Sequence, residues 1–247
     1  MNPHWREFFR SWSGTPEHRA VLDEARETIT EALATHRQPY VAYSGGKDST
    51  VLVHLVLQQA PDILVLHWDY GRSFVPQPVF EEILENARRL GVRYLRVETS
   101  PLYAKLGRRA TNVLGRHYIG RLLPRLAEEG YDLAFVALRA EESVKRRNRI
   151  AARRSLGPIE ECWPLASWSW RDVWAYIVTN DLPYLSLYDA RAELVGYHRA
   201  RFTTLFDPEF ADVGNESIDN VLHWRWRHDD PSPSGTHGRR VEEGGTV

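Results

Sequence analysis

The feature that most constrains the fold is a short strand-like segment followed by a glycine turn and a helical pattern. Residues 40–43 favour a strand, and Gly45 and Gly46 permit a tight turn with close approach of the backbone. From residue 49 to residue 59 the apolar side chains recur at helical spacing. The sequence therefore predicts a strand, turn and helix whose first N–H groups are free to attract phosphate.

Strand and helix patterns alternate along the rest of the chain. The predicted strands cover residues 40–43, 63–69, 94–98, 133–138 and 159–165. The predicted helices cover residues 16–36, 49–59, 80–90, 114–129 and 168–177, the last with Ser169 as its N-cap. This alternation predicts an α/β fold with a doubly wound, mainly parallel sheet and helices on both faces.

The same patterns divide the chain into parts. Residues 1–38 form an N-terminal helical extension packed on the core, and residues 39–200 form the main domain. Residues 201–227 continue that domain, whereas residues 228–247, rich in Pro, Ser, Gly and charge, are predicted to be a disordered tail.

Composition narrows the classes of function. A chain of 247 residues with 43% hydrophobic content can bury a sizeable core, and its net charge of −1 gives no general attraction to nucleic acid or membrane. No long apolar run and no signal-like N-terminus is present, so a cytoplasmic protein without a membrane partner is expected. The single cysteine, Cys162, excludes a disulfide framework and any four-cysteine metal site within one chain.

The turn itself carries groups that suit phosphate. Ser44 and Ser49 add hydroxyl donors and Lys47 adds a point charge, but the pattern G-x-x-x-x-G-K-[ST] does not fit because Val41 replaces its first glycine. The segment resembles the S-G-G-x-D-S loop of the PP-loop ATP pyrophosphatases, also called adenine nucleotide alpha hydrolases. The resemblance implies that ATP is cleaved between its α and β phosphates and that the loop binds it through Ser44, Gly45, Gly46, Lys47, Asp48 and Ser49.

Asp69 and Gly71 follow the second predicted strand. Ligands of open α/β sheets gather at the carboxyl ends of the strands, so both residues should lie beside the loop. PAPS reductases and their relatives have an aspartate and a glycine at this place, and the resemblance implies that both contact the nucleotide. With Asp48, Asp69 is also the candidate ligand for Mg²⁺; a turn-capping role for Asp69 is the alternative.

A basic segment follows the fourth predicted strand. Residues 139–146 resemble the R-x-E-x-S-x-x-R segment of the PAPS reductase-like branch, which implies that an anionic acceptor is held by Arg139, Ser143, Arg146 and Arg147. Six cations lie between residues 145 and 154. This run predicts contact with phosphate, sulfate or a DNA backbone, and a solvated helix face is the alternative.

A second stretch strengthens the resemblance. Residues 164–177 are close to the P-L-x-x-W-x-x-x-D-V-W-x-Y-I pattern of the same branch, and its L-Y-D follows at residues 187–189. The similarity covers about residues 40 to 200. It does not extend to the cysteine of the C-terminal E-C-G-L-H motif, which PAPS reductases use as sulfur nucleophile, since no cysteine follows Cys162.

These matches and departures predict an ATP pyrophosphatase that adenylates an oxyanion acceptor for sulfur transfer. Lys47 and the loop N–H groups would stabilise the departing pyrophosphate, and Arg139 would hold the acceptor. The preferred use is DNA phosphorothioate modification with a cysteine desulfurase and other modification subunits as partners. In that use Cys162 is a possible sulfur carrier, although an inert buried thiol is the alternative.

Two other functions remain open. One is the small subunit of sulfate adenylyltransferase or another PAPS reductase-like enzyme of sulfur assimilation. The other is a non-catalytic ATP-binding subunit. The sequence carries no pattern that sets an oligomeric state.

Overall fold

The computed structural model describes residues 1–107, 109 and 114–200. Its strands are β1 (Pro39–Ala42), β2 (Leu64–Asp69), β3 (Tyr94–Thr99), β4 (Leu133–Phe135) and β5 (Glu160–Cys162). Its helices are α1 (Pro3–Ser13), α2 (Pro16–Thr35), α3 (Lys47–Leu57), α4 (Gln77–Arg89), α5 (Pro101–Leu106), α6 (Leu114–His117), α7 (Leu123–Glu128), α8 (Val144–Ala151), α9 (Trp170–Thr179) and α10 (Leu187–Val195).

The five strands form one parallel sheet in the order β3-β2-β1-β4-β5. The central strand β1 pairs on both sides, with Val41 opposite Val65 of β2 and Phe135 of β4. The strand order reverses between β1 and β4, which is where a crevice opens at the carboxyl ends of such a sheet. The predicted doubly wound α/β fold is confirmed.

Successive residues of the strands point to opposite faces of the sheet, and each face has its own core. Val41, Val65 and Phe135 are buried on the face covered by α3, α4 and α9. Tyr40 and Leu66 are buried on the other face, against the segment that includes α7. Burial on both faces explains why the strands are almost continuously apolar.

The N-terminal helices extend the first of these cores. Phe9 of α1 is fully buried and its ring stacks on that of Trp174 of α9, with 6.2 Å between centroids. From α2, the backbone oxygen of Val21 accepts a hydrogen bond from Nε1 of Trp168 at 3.0 Å. The aromatic side chains near the N-terminus therefore pack on α9 and the residues that precede it.

Three predicted elements differ from the structure. The strand predicted over residues 159–165 is shorter and spans only Glu160–Cys162. The helix predicted over residues 114–129 is divided into α6, a π-helical turn at Tyr118–Leu122, and α7. Pro124 lies in the first turn of α7 and has no N–H to continue the α-helical bonding, so the chain forms a wider turn before it. Strand β4 ends at Phe135, three residues early, because the chain then turns towards Arg139.

The predictions for residues 201–227 and 228–247 lie outside the described residues. Among the helices that the structure does describe, none combines the length and the apolar character that crossing a membrane requires.

Candidate functional site

The loop between β1 and α3 lies at the centre of the carboxyl edge of the sheet. The Ser49 hydroxyl donates to the Gly46 carbonyl oxygen at 2.9 Å and accepts from the Ser44 N–H at 3.2 Å. Gly46 is the N-cap residue of α3, and no side chain caps the helix. In the first turn of α3 the Lys47 N–H donates to the Tyr188 hydroxyl at 3.0 Å. The positive end of the α3 dipole lies at this loop, which is the arrangement of a phosphate-binding helix start.

Residue 45 has to be glycine because of its backbone conformation and because of the small space beside it. Its φ of +82° lies in the left-handed region, and a Cβ atom added there would be 2.5 Å from a side-chain atom of Ile83 in α4. Only glycine satisfies both conditions without rearrangement. The close approach of the loop to α4 fixes where the α3 N-terminus lies.

Four charged side chains alternate in sign at the edge of this loop. Lys47 Nζ donates to Asp48 Oδ2 at 2.6 Å, and Asp48 Oδ1 accepts from Arg139 Nε at 2.5 Å. Arg139 Nη1 in turn donates to Glu141 Oε2 at 2.8 Å and to the Trp168 carbonyl oxygen at 3.2 Å. Lys47, Asp48, Arg139 and Glu141 are called the charged tetrad below.

Burial makes the inner members of the tetrad depend on one another. Lys47 and Arg139 are only 3% and 2% exposed. Burial alone would raise the pKa of Asp48, but the charges of Arg139 and Lys47 outweigh it and hold that pKa well below its usual range. The pKa of Arg139 is raised, because Asp48 and Glu141 outweigh its own burial. Asp48 and Arg139 are therefore both charged at neutral pH.

Asp69 and Gly71 lie at the carboxyl end of β2, as the sequence predicts. The Asp69 Oδ1 atom accepts the Gly71 N–H at 2.9 Å, and its Oδ2 atom forms an ion pair with Arg72. The first contact is a turn-capping interaction, so the alternative role of Asp69 is present in the structure. Contact of either residue with a nucleotide stays a prediction.

The carboxylates assigned to Mg²⁺ already have cationic partners from the protein. Asp48 pairs with Lys47 and Arg139, and Asp69 pairs with Arg72. In residues 1–107, 109 and 114–200, no three His, Cys, Asp or Glu side chains come together as a metal site. As placed, Asp48 and Asp69 do not fit a Mg²⁺ site built by the protein, and Mg²⁺ stays a prediction.

A cavity of about 200 Å³ opens beside the tetrad. Its lining residues come from α3, from the segment after β4, from α9 and from the segment after α10, and they are Lys47, Arg139, Glu141, Trp170, His198 and Ala200. Glu141, Trp170 and His198 were not predicted as site residues. Glu141 stands inside the R-x-E-x-S-x-x-R segment, which could have indicated it, whereas no local pattern distinguishes Trp170 or His198.

The other predicted anion-binding residues have structural contacts. Ser143 is the N-cap of α8, and its hydroxyl accepts the Arg146 N–H at 3.0 Å. Arg146 pairs with Glu142, whereas Arg147 is exposed. Three residues predicted to bind the anion are not among the described residues that line the cavity: Ser143, Arg146 and Arg147. Their role in binding an anion stays a prediction.

The basic run of residues 145–154 is not one uniform face. Arg149 is 7% exposed, pairs with Glu161, and donates from Nε to the Arg154 carbonyl oxygen at 3.0 Å. Lys145, Arg147, Arg153 and Arg154 are exposed. Arg149 thus ties α8 to β5, and contact of the basic run with a DNA backbone stays a prediction.

Cys162 ends strand β5 and is a partly exposed free thiol. Burial, followed by the nearby Glu160 carboxylate, raises its pKa to about 12. The thiol is therefore protonated at neutral pH, which favours the inert alternative over a sulfur carrier. Its role as a carrier stays a prediction without support from its surroundings.

Comparison with known proteins agrees with this geometry. The family model for the phosphoadenosine phosphosulfate reductase domain matches residues 38–214. The sulfate adenylyltransferase subunit 2 of Rhizobium sp. (strain BR816) is 28% identical, over 84% of this chain and 80% of its own length. The protein of the same name from Rhizobium meliloti (strain 1021) is 30% identical, over 71% of this chain and 69% of its own.

A solved structure shows the same fold. The chain is similar to the phosphoadenylyl-sulfate (PAPS) reductase of Candida auris, determined as a phosphate complex, with a TM-score of 0.50 and 16% identity. The match covers 68% of this chain and 84% of that one. Fold and site together define a nucleotide-processing α/β enzyme or enzyme subunit of the PP-loop class. The chain belongs to the phosphoadenosine phosphosulfate reductase domain family.

Proposed function

We propose that this protein binds ATP at the loop of residues 44–49, cleaves it between the α and β phosphates, and transfers AMP to a small oxyanion acceptor. The observation that carries the proposal is the pair of buried cations, Lys47 and Arg139, beside the glycine N-cap at the start of α3. N–H groups and cations of this kind stabilise the charge that develops on a departing pyrophosphate.

The tetrad supports transfer without a protein nucleophile. Lys47 lies in the first turn of α3 and would face the phosphates that leave, whereas Arg139 lies in the segment after β4 and would face the acceptor. Asp48 pairs with both and fixes their separation. Catalysis would therefore consist of positioning and charge stabilisation, with the acceptor oxygen attacking the α phosphate in line with the departing pyrophosphate.

Sulfate is the acceptor that the comparisons support first, because two relatives carry the name sulfate adenylyltransferase subunit 2. A cavity of about 200 Å³ also suits a free oxyanion better than a phosphodiester flanked by sugars. The designation of those relatives as a subunit suggests that this chain works with a partner subunit.

DNA phosphorothioate modification is a second candidate. It is supported by the exposed cations of the basic run, Lys145, Arg147, Arg153 and Arg154. Such a role would require a sulfur-supplying desulfurase partner. A change of these arginines should weaken DNA binding and lower its salt dependence, without an effect on ATP cleavage.

The test is incubation of the purified protein with Mg²⁺, sulfate and ATP labelled in the α phosphate, followed by separation of the products. Labelled AMP or adenylylsulfate, together with pyrophosphate, is expected from the native protein and not from Asp48→Ala. Labelled ADP would contradict the proposal. ATP binding without any product, also after addition of a partner subunit or DNA, would indicate the non-catalytic subunit.

A further inference from the structure

The charges around the cavity cancel before any ligand binds. Lys47 and Arg139 are two cations, and both are hydrogen-bonded to Asp48. Glu141 lines the cavity and takes a second hydrogen bond from Arg139. The tetrad therefore has two positive and two negative charges. An oxyanion that entered this cavity would gain little net Coulomb attraction in return for its lost hydration, so a further cation would strengthen its binding.

Among the described residues that line the cavity, His198 is the one besides Lys47 and Arg139 that can carry positive charge. Its ring centroid lies 5.9 Å from that of Trp170. This ring contact is the interaction of the imidazole within the described residues, where it forms no ion pair and no hydrogen bond. Arg171 stacks on Trp12 and Trp170 and is not part of the lining.

The backbone before His198 is shaped to let the ring reach this place. Gly196 has a φ of +79°, and a Cβ atom added there would lie 2.7 Å from His198 Nδ1. A side chain at residue 196 would therefore displace the imidazole as well as strain the backbone. The turn after α10 thus presents the imidazole to the cavity.

We propose that His198 completes the acceptor site and supplies the positive charge that a tetrahedral oxyanion dianion needs there. Arg139 would donate to the oxyanion while its charge remains balanced by Asp48 and Glu141. His198 adds the charge that makes binding of a dianion favourable, and Trp170 forms the adjoining apolar wall. That this oxyanion is the acceptor of AMP rests on the proposed function, whereas the binding site does not.

The experiment is calorimetric titration of inorganic sulfate, and separately inorganic phosphate, into the full chain at constant ionic strength in chloride buffer at pH 6. His198→Gln keeps a neutral donor and should weaken oxyanion binding about tenfold or more. His198→Lys keeps the charge and should restore binding to within a few-fold of the native protein. His4→Gln, a change of an exposed histidine on α1, should have no effect.

Unchanged binding in His198→Gln, or equal loss in His198→Gln and His198→Lys, would overturn the role of charge at this position. The α-labelled ATP assay separates this inference from the proposed function. If ATP is cleaved but oxyanion binding does not depend on His198, the inference fails and the function stands. If binding depends on His198 but no acceptor is adenylated, the function fails and the site stands.

Discussion

Individual residues at the α3 N-terminus derive their chemistry from their partners. Lys47 and Arg139 are buried cations held by one carboxylate, Asp48. Burial would raise the pKa of Asp48, but the two cations outweigh burial and depress it. Buried charges of this kind are tolerated only when each is paired. The loop residues were predictable from sequence because they are contiguous, whereas Glu141 and His198 meet Lys47 only through the fold.

Replacement of Lys47 should remove activity and preserve the fold. Lys47→Ala deletes a cation beside the departing pyrophosphate but leaves Asp48 paired with Arg139, so turnover should fall about 100-fold or more. The rate of AMP formation measures the loss, and thermal unfolding shows whether the fold remains. Lys105→Ala, in the exposed part of α5, is the matched control. An unchanged rate in Lys47→Ala would contradict the proposed role of this lysine in stabilising the departing pyrophosphate.

Replacement of Gly45 should reveal how closely the loop approaches α4. Gly91 has a similar φ of +80° but no atom within 4 Å of an added Cβ, so Gly91→Ala measures the backbone effect alone, about 1–2 kcal/mol. Gly45→Ala adds the clash with Ile83 and should reduce the free energy of unfolding by about 1–3 kcal/mol more. Urea unfolding of both variants gives the comparison. Equal losses of unfolding free energy in Gly45→Ala and Gly91→Ala would mean that Ile83 and α4 move aside at no cost in stability.

Among the elements, α9 connects the N-terminal helices to the site. It starts with a capping box between Ser169 and Asp172, and Asp172 Oδ1 also accepts Trp12 Nε1 at 2.8 Å and contacts His18 Nδ1 at 3.0 Å. The cap was predictable from the spacing of Ser169 and the helical pattern. The contacts with α1 and α2 were not, because they join residues more than 150 positions apart.

Loss of the Asp172 carboxylate should destabilise the protein in a pH-dependent way. Burial would raise its pKa, but hydrogen bonds from His18, Ser169 and Trp12 outweigh burial and lower the pKa from 3.8 to about 2. A lowered pKa in the folded state contributes stability that is present above about pH 4 and is lost as the pH falls through about 2. Asp172→Asn should therefore lose about 2 kcal/mol at neutral pH and show less acid dependence between pH 4 and 2.

The measurement for Asp172 is urea unfolding of the native protein and of Asp172→Asn at neutral pH and at several values between pH 4 and pH 2. Asp23→Asn is the control, since that side chain is 69% exposed on α2. A constant difference between the native protein and Asp172→Asn over the whole acid range would show that the charge of Asp172 does not contribute.

At the scale of the whole molecule, one core includes the N-terminal helices and the sheet. Phe9, Ala25 and Ile29 are fully buried together with Val41 and Trp174. The carboxyl ends of β1 and β4 meet at the reversal of strand order, and this topology brings Asp48 to Arg139. The boundary at residue 38 therefore marks a change in the sequence pattern, and the helices before it share one hydrophobic core with the sheet.

Removal of α1 and α2 should prevent stable folding. A chain that starts at residue 38 exposes Trp168 and Trp174, which are fully buried in the whole protein, and loses the partners of Asp172. It should give a weakened, non-cooperative thermal transition by circular dichroism. A chain that ends at residue 227 lacks only the predicted tail and should unfold like the full protein. A cooperative transition in the chain from residue 38 would make the extension dispensable.

The sequence by itself determined the local elements and the loop of residues 44–49. These depend on glycine freedom, capping residues and apolar periodicity, all of which act within a few positions along the chain. Only the tertiary structure decided that Asp48 lies between two cations, that Arg149 is buried and that His198 faces the cavity. Those properties arise from strand order and from contacts between distant segments, which no local pattern encodes.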